Sequence, residues 1–185
     1  MSDPRTDREK QLPDHLGGHF GNSHTDPAVL DYLIDRYSVR TMLDIGCGPG
    51  AMVDLARQRG LVAWGIDGDY TTEHDYIIVH DYTLGPYPAG NFDLIWCFEF
   101  VEHVDAQYQD NWLRTMDAGR VLFLSTPAPG FGGWHHVNEQ PEAYWIDLLA
   151  THNWTLDTEA TEWVRNNADH LFSRKQGLVF VRIVP

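Results

Sequence analysis

The chain has 185 residues, which is enough for one domain with a full hydrophobic core. Its 27 acidic and 13 basic residues give a formal net charge of −14, so the protein repels phosphate backbones and nucleic acid is a poor candidate partner. Only two cysteines occur, Cys47 and Cys97, which is too few for a disulfide framework and predicts a reducing, cytoplasmic setting.

The N-terminal residues are charged and polar. Residues 1–12 lack the apolar run of a signal peptide, and we predict that they form a mobile tail before a single domain over residues 13–185. No apolar run in the sequence approaches the length of a membrane span, so we expect no membrane association.

Histidine and glycine are frequent in the next stretch, residues 12–24. The spacing of His15, His19 and His24 is compatible with a metal site, but the intervening glycines make the segment too flexible to hold ligands in place. We therefore predict an arm that covers a bound ligand.

A strand, a glycine turn, a helix and a second strand are predicted over residues 41–69. A helix starting at Asp26 and Pro27 precedes them, with its apolar residues on one face. The apolar run Thr41–Ile45 is followed by glycines at positions 46, 48 and 50, and Ala51–Arg59 is helix-forming. The second strand, Leu61–Ile66, is closed by an acid.

Such a glycine turn lets the main chain approach a ligand closely, and Asp67 can accept both hydroxyls of a ribose. A nucleoside cofactor is therefore expected. The turn also satisfies the looser dinucleotide pattern, which would favour NAD. However, Asp44 places a negative charge where a pyrophosphate would lie, whereas S-adenosylmethionine (SAM) has no phosphate and carries an ammonium and a sulfonium.

The run LDIGCGPG at residues 43–50, with acids at later strand ends, resembles the class I SAM-dependent methyltransferases from about Asp26 onward. The resemblance implies an α/β fold: a Rossmann-like, mostly parallel seven-stranded sheet with helices on both faces and a terminal antiparallel strand. It also implies that Asp81 accepts the adenine amino group, with Tyr82 near the base. The residues expected to bind SAM are Asp44, Gly46, Cys47, Gly48, Asp67, Gly68, Asp81, Tyr82, Phe98 and Glu99.

The remaining elements alternate between strands and helices. A third strand over Tyr76–His80 is followed by a loop in place of the family's usual helix. The further predicted elements are a buried strand at residues 91–100, a helix from Asp105 that Gly119 ends, a strand at Arg120–Ser125, a shaped loop at 126–138, a helix at Pro141–Ala150, and strand-like runs at Thr155–Val164 and Gly177–Val184 joined by a polar segment.

Acids and histidines cluster after the fourth strand. If the chain turns helical there, Glu99, Glu102 and His103 share one face, and His136 from the later loop can join them. Two carboxylates and two imidazoles form a candidate site for magnesium, manganese or zinc. A Lewis-acid metal or a general base would help an oxygen nucleophile lose its proton.

This E-x-x-E-H pattern locally resembles two groups of methyltransferases, the ubiquinone-biosynthesis O-methyltransferases and the small-RNA 3′-end 2′-O-methyltransferases. In both groups a metal holds neighbouring oxygens of the acceptor. Many other small-molecule methyltransferases have a similar turn without a metal. In that case His103 or His136 is the candidate general base, and Phe131 and Trp134 are walls of the acceptor site.

The sequence therefore predicts a SAM-dependent methyltransferase acting on an oxygen of a small-molecule acceptor, such as a sugar or a quinol. One alternative is a metal-assisted 2′-O-methyltransferase acting on RNA 3′ ends, which the acidic charge and the lack of an RNA-binding extension disfavour. Others are a SAM-binding regulatory protein without transferase activity and a nicotinamide-dependent oxidoreductase. The sequence does not define the oligomeric state.

Overall fold

Seven strands form one sheet in the computed structural model, which describes residues 5–182. Their bounds are β1 Thr41–Ile45, β2 Val62–Asp67, β3 Ile77–Val79, β4 Phe92–Phe98, β5 Gly119–Ser125, β6 Trp154–Leu156 and β7 Leu178–Arg182. The strand order is β3-β2-β1-β4-β5-β7-β6. Strand β7 is antiparallel to both of its neighbours, whereas the other pairs are parallel. The predicted fold class is confirmed.

Helices cover both faces of this sheet. They are α1 Pro27–Tyr37, α2 Ala51–Gln58, α3 Gln109–Met116, α4 Glu142–Ala150, α5 Thr158–Asn167 and α6 Leu171–Gln176. Buried residues of α1, α2 and α5 form one core cluster, and those of α3 and α4 form the other. Side chains alternate between the two clusters along β4, where Ile95 and Cys97 lie on the face opposite Trp96. None of the helices in residues 5–182 is long and apolar enough to cross a bilayer.

The predicted start of α1 is confirmed. The carboxylate of Asp26 accepts a hydrogen bond from the backbone N–H of Val29, at 3.2 Å, and Pro27 occupies the first turn. The same buried carboxylate accepts from the N–H groups of Asp169 and His170, both at 3.1 Å. Asp26 therefore also joins α1 to the connection between α5 and α6.

The prediction of a strand over Thr155–Val164 is wrong, because most of this run forms α5. Asp157 caps the helix by accepting from the N–H of Ala160 at 2.9 Å. Ala160 and Val164, one turn apart, are fully buried against the sheet. The polar segment that follows contains α6 rather than only a loop.

Smaller differences concern the ends of elements. Helix α3 ends at Met116, and Gly119 is the first residue of β5 rather than the end of the helix. Pro141 is the N-cap of α4, outside its first turn. Asp105 caps a short 3-10 turn, Ala106–Tyr108, that leads into α3.

The structure also differs from the predicted tail. Residues 1–4 lie outside the described residues, but Arg5, Glu9 and Leu12 are buried. The Glu9 carboxylate accepts from the N–H groups of Thr6, Gly18 and Phe20 at 2.8–3.0 Å. These hydrogen bonds hold residues 5–12 against the glycine-rich arm, so this segment does not project as a tail.

Gly119 marks a point where the sheet tolerates no side chain. A Cβ atom added there would lie 2.3 Å from Cγ1 of the buried Ile95. We expect Gly119→Ala to lower the free energy of unfolding by about 1–3 kcal/mol through overpacking, as measured by urea denaturation. Gly90→Ala is the control, since nothing lies within 4 Å of a Cβ added at that position. Equal stability of the two variants would contradict this packing.

Candidate functional site

A cavity of about 770 Å³ opens at the carboxyl edge of the parallel strands. Its volume falls in the range of roughly 300–1,000 Å³ typical of small-molecule sites. The structure brings together every residue predicted for the site, since all of them line this cavity: Asp44, Gly46, Cys47, Gly48, Asp67, Gly68, Asp81, Tyr82, Phe98, Glu99, Glu102, His103 and His136.

The glycine turn between β1 and α2 forms the floor of the cavity. Gly46, Gly48 and Gly50 have φ angles of +77°, +51° and +93°, which side chains rarely tolerate. A Cβ on Gly46 would lie 2.4 Å from the ring of Phe100, so this ring closes over the bare backbone. Glycine is therefore required at position 46 both by the positive φ angle and by the Phe100 ring that packs against it.

Asp67 has a structural contact that the sequence did not predict. Its carboxylate accepts from the backbone N–H of Gly48 at 2.7 Å and from that of Asp69 at 2.8 Å. The end of β2 is thereby tied to the glycine turn after β1. Asp67 both shapes the turn and lines the cavity.

Asp44 is buried at this end of the cavity, and Asp67 is partly buried. Burial, with the neighbouring charge of Asp67, raises the pKa of Asp44 well above its usual range. Burial also raises the pKa of Asp67, although the N–H groups of Asp69 and Gly48 offset part of that effect. A cation placed between them would relieve both penalties, so this end of the cavity is suited to an ammonium or a sulfonium.

The glycine-rich arm crosses the cavity opening. Nε2 of His15 lies 3.0 Å from the Asp81 carboxylate, and Nε2 of His19 lies 2.9 Å from that of Asp69. Burial alone would raise the pKa of Asp81, but hydrogen bonds from His15 and Thr83 lower it overall. His15 and His19 therefore pair with acids beyond the ends of β3 and β2, whereas the ring of His24 packs against those of Phe98 and His170.

Three potential metal ligands converge beneath the arm. One ligand atom each of Glu102, His103 and His136 lies within 4.8 Å of the others. Glu102 is fully buried, and neither of its carboxylate oxygens has a hydrogen-bond partner among residues 5–182. Burial, together with the nearby His136, lowers the pKa of His103 to about 4, so its imidazole is neutral at pH 7. A buried carboxylate facing two imidazoles is the arrangement expected of a cation site.

Glu99 does not join this group, which corrects the predicted set of four ligands. Its φ is +52°, and the helical turn begins only at Val101, so positions 99, 102 and 103 do not share a helix face. Its Oε1 accepts from Ser125 Oγ at 2.7 Å and Gln176 Nε2 at 2.6 Å. Glu99 Oε1 is therefore engaged by these two donors, and the carboxylate is not part of the converging group.

The loop at residues 126–138 brings His136 to the site. Nδ1 of His136 lies 2.8 Å from the carboxylate of Glu139. The backbone N–H groups of Val137 and Asn138 both donate to the carbonyl of Glu102 at 3.0 Å. Glu139 was not among the predicted site residues. Its position three residues after a histidine in a glycine-rich loop could have indicated that the two side chains pair.

Aromatic rings form the side of the cavity near these ligands. Phe131 packs edge-on against Phe172, with ring centroids 5.8 Å apart, and Trp134 lies under the guanidinium of Arg5 at 4.4 Å. The predicted wall residues Phe131 and Trp134 do line the cavity. The sequence did not identify Phe172 as a site residue, because its segment was predicted to be a connection between two strands. It did not identify Asp69, because the partner of that residue is in the distant arm.

Comparisons with known proteins agree with this geometry. The model of a methyltransferase domain family matches residues 23–174. A ubiquinone biosynthesis O-methyltransferase of Saccharophagus degradans is 27% identical over 183 residues, covering 82% of this chain and 73% of the relative. The 27-O-demethylrifamycin SV methyltransferase of Amycolatopsis mediterranei is also 27% identical, over 157 residues, covering 64% of this chain and 56% of the relative.

A solved structure shares the fold along almost the whole chain. The sugar N-methyltransferase KedS8 from a Streptoalloteichus species superimposes with a TM-score of 0.64, covering 96% of this chain and 91% of its own. Its sequence identity is 12%, so the likeness concerns the fold alone. With the family match over most of the chain, and with the predicted cofactor residues gathered at one sheet edge, the chain belongs to the class I SAM-dependent methyltransferases.

Proposed function

We propose that this methyltransferase acts on an oxygen of a small-molecule acceptor whose neighbouring oxygens bind a divalent cation held by Glu102, His103 and His136. The observation that carries this proposal is the fully buried Glu102 carboxylate, which has no hydrogen-bond partner in residues 5–182 and faces two imidazoles. An isolated buried carboxylate is costly, and a coordinated cation removes that cost.

The cofactor occupies the end of the cavity between the glycine turn and the arm. The buried carboxylate of Asp44 lies there and suits the cationic methionine part of SAM. We assign Asp67, at the end of β2, to the ribose hydroxyls, and Asp81 with Tyr82 to the adenine, because all three line the cavity. Cys47, Gly68, Phe98 and Glu99 complete this lining.

The donor set fits a divalent cation. One carboxylate and two imidazoles suit zinc or manganese better than magnesium, which prefers oxygen ligands. When bound, such a cation acts as a Lewis acid that lowers the pKa of an acceptor hydroxyl. The chain itself holds the acceptor in line with the methyl group, and the arm and the aromatic walls exclude water.

Several features support an oxygen of a small molecule as the target. The relatives named above include two methyltransferases whose names specify an oxygen or an O-demethylated substrate. The charge of −14 opposes a nucleic-acid acceptor. In a metal-free mechanism the general base would be a histidine, but a pKa of about 4 makes His103 a weak base at neutral pH.

Methyl transfer to a catechol tests the proposal. We expect labelled methyl groups to pass from SAM to catechol, which has two adjacent hydroxyls, far faster than to phenol, which has one. Chelation should abolish the transfer, and added Mn²⁺ should restore it. Transfer to catechol at an unchanged rate after chelation would contradict the role of the metal. Equal transfer to phenol would contradict recognition of neighbouring oxygens.

A further inference from the structure

The carboxylate of Glu139 contacts three nitrogen atoms of the loop that carries His136. Its Oε1 lies 2.8 Å from Nδ1 of His136 and 2.7 Å from the backbone nitrogen of Gly132. Its Oε2 accepts from the N–H of Gly130 at 2.7 Å. Since an ionised carboxylate only accepts hydrogen bonds, Nδ1 of His136 must carry the proton. In the neutral form of the ring, Nε2 then keeps the lone pair that a cation can use.

A second set of hydrogen bonds fixes the end of the same loop. The N–H groups of Val137 and Asn138 donate to the Glu102 carbonyl, and the side-chain amide of Asn138 donates to the carbonyl of Val104 at 3.2 Å. These bonds hold the loop against the turn that contains Glu102 and His103. They do not determine the orientation of the His136 ring, which Glu139 contacts directly.

We infer that Glu139 is a positioning residue that holds the His136 ring in the tautomer and orientation needed to bind the cation. This inference rests on the proposed function. A carboxylate that accepts the second N–H of a ligand imidazole is the usual support of a metal-bound histidine. Through Gly130 and Gly132, the same carboxylate also fixes the loop segment that carries Phe131.

Two substitutions separate these contacts. Glu139→Ala removes all three acceptor contacts. Glu139→Gln keeps the shape, but its amide nitrogen must face either Gly130 or the pair formed by His136 and Gly132, so at least one donor loses its partner. The control is Glu142→Gln, which removes the same charge nearby from a half-exposed carboxylate paired with Arg165 at 2.6 Å.

The test measures Mn²⁺ binding by electron paramagnetic resonance in the presence of S-adenosylhomocysteine (SAH). Affinity for Mn²⁺ should fall about 10-fold to 100-fold in Glu139→Ala, by less in Glu139→Gln, and not at all in Glu142→Gln. Affinity for SAH, measured by calorimetry, should stay the same in all three variants.

Three results would overturn the inference, and they differ from one another. Wild-type affinity for Mn²⁺ in Glu139→Ala would overturn it while leaving the metal site intact. Parallel losses of Mn²⁺ and SAH binding in both Glu139 variants would show that the residue only maintains the fold of the loop. Failure of the wild-type protein to bind Mn²⁺ would overturn the metal part of the proposed function, and the role of Glu139 with it.

Discussion

Replacing Glu102 with glutamine is expected to reduce methyl transfer to a catechol by about 100-fold to 1,000-fold, the range for loss of one preorganised electrostatic group. The substitution removes the only carboxylate among the three converging ligands while keeping its shape. Affinity for SAH should not change, because Glu102 is not among the residues proposed to bind the cofactor. The measurements are labelled methyl transfer at saturating Mn²⁺ and calorimetry with SAH.

The same substitution should alter stability in a pH-dependent way. Burial, together with the nearby charge of Glu99, raises the pKa of Glu102 well above its usual range. The folded metal-free protein therefore binds this proton more tightly than the unfolded chain. Its stability should fall as the pH rises from the ordinary carboxyl pKa through the raised one, by about 1.4 kcal/mol for each unit of the shift.

Glu102→Gln should make this fall smaller by the share due to Glu102, since an amide does not titrate in this range, while Asp44 and Asp67 keep their own shares. Urea denaturation of the metal-free wild type and variant at pH 5 and pH 8 measures how the free energy of unfolding of each protein changes with pH. Glu159→Gln is the control, because this carboxylate is exposed and paired with Arg36. A variant that transfers methyl groups at the wild-type rate, or that has the wild-type pH slope, would contradict the role given to Glu102.

Asp67→Ala is expected to weaken SAH binding by about 1–3 kcal/mol, or roughly 5-fold to 150-fold. Two losses contribute. The ribose loses an acceptor, and the N–H groups of Gly48 and Asp69 lose the carboxylate that ties the glycine turn to the end of β2. Asp67→Asn keeps one acceptor oxygen and should have a smaller effect.

Calorimetry with SAH distinguishes these variants. Asp31→Ala is the control, because this carboxylate lies on α1, is about half exposed, and pairs with Arg59 away from the cavity. Affinity within twofold of the wild-type value in Asp67→Ala would show that Asp67 is not the ribose partner. An equal loss in Asp67→Ala and Asp31→Ala would instead indicate an effect of net charge alone.

The arrangement of the cofactor end could be predicted because it depends on local pattern. Short apolar runs ending in Asp44, Asp67 and Asp81 identify parallel strands, and parallel strands end at one edge of a sheet. Three alternate glycines between the first strand and a helix predict close approach of the main chain. Residues far apart in sequence were therefore expected together in space, and the structure places them around one cavity.

The other features of the fold and the site depend on contacts between distant parts of the chain, which local sequence patterns do not predict. Helix α5 was predicted as a strand because the run over Thr155–Val164 is rich in β-branched and aromatic residues, whereas the cap at Asp157 and packing against the sheet determine a helix. The pairs of His15 with Asp81 and His19 with Asp69 join segments more than 45 residues apart. Glu99 is not among the converging ligands because its backbone is left-handed, and the spacing of residues in the sequence does not indicate such a conformation.

Anomalous X-ray scattering from crystals grown with SAH and Mn²⁺ tests the metal site most directly. We predict a manganese peak within bonding distance of the Glu102 carboxylate and of the imidazoles of His103 and His136, next to SAH in the cavity. Crystals with SAH bound and no manganese at these three side chains would contradict metal-assisted transfer to oxygen.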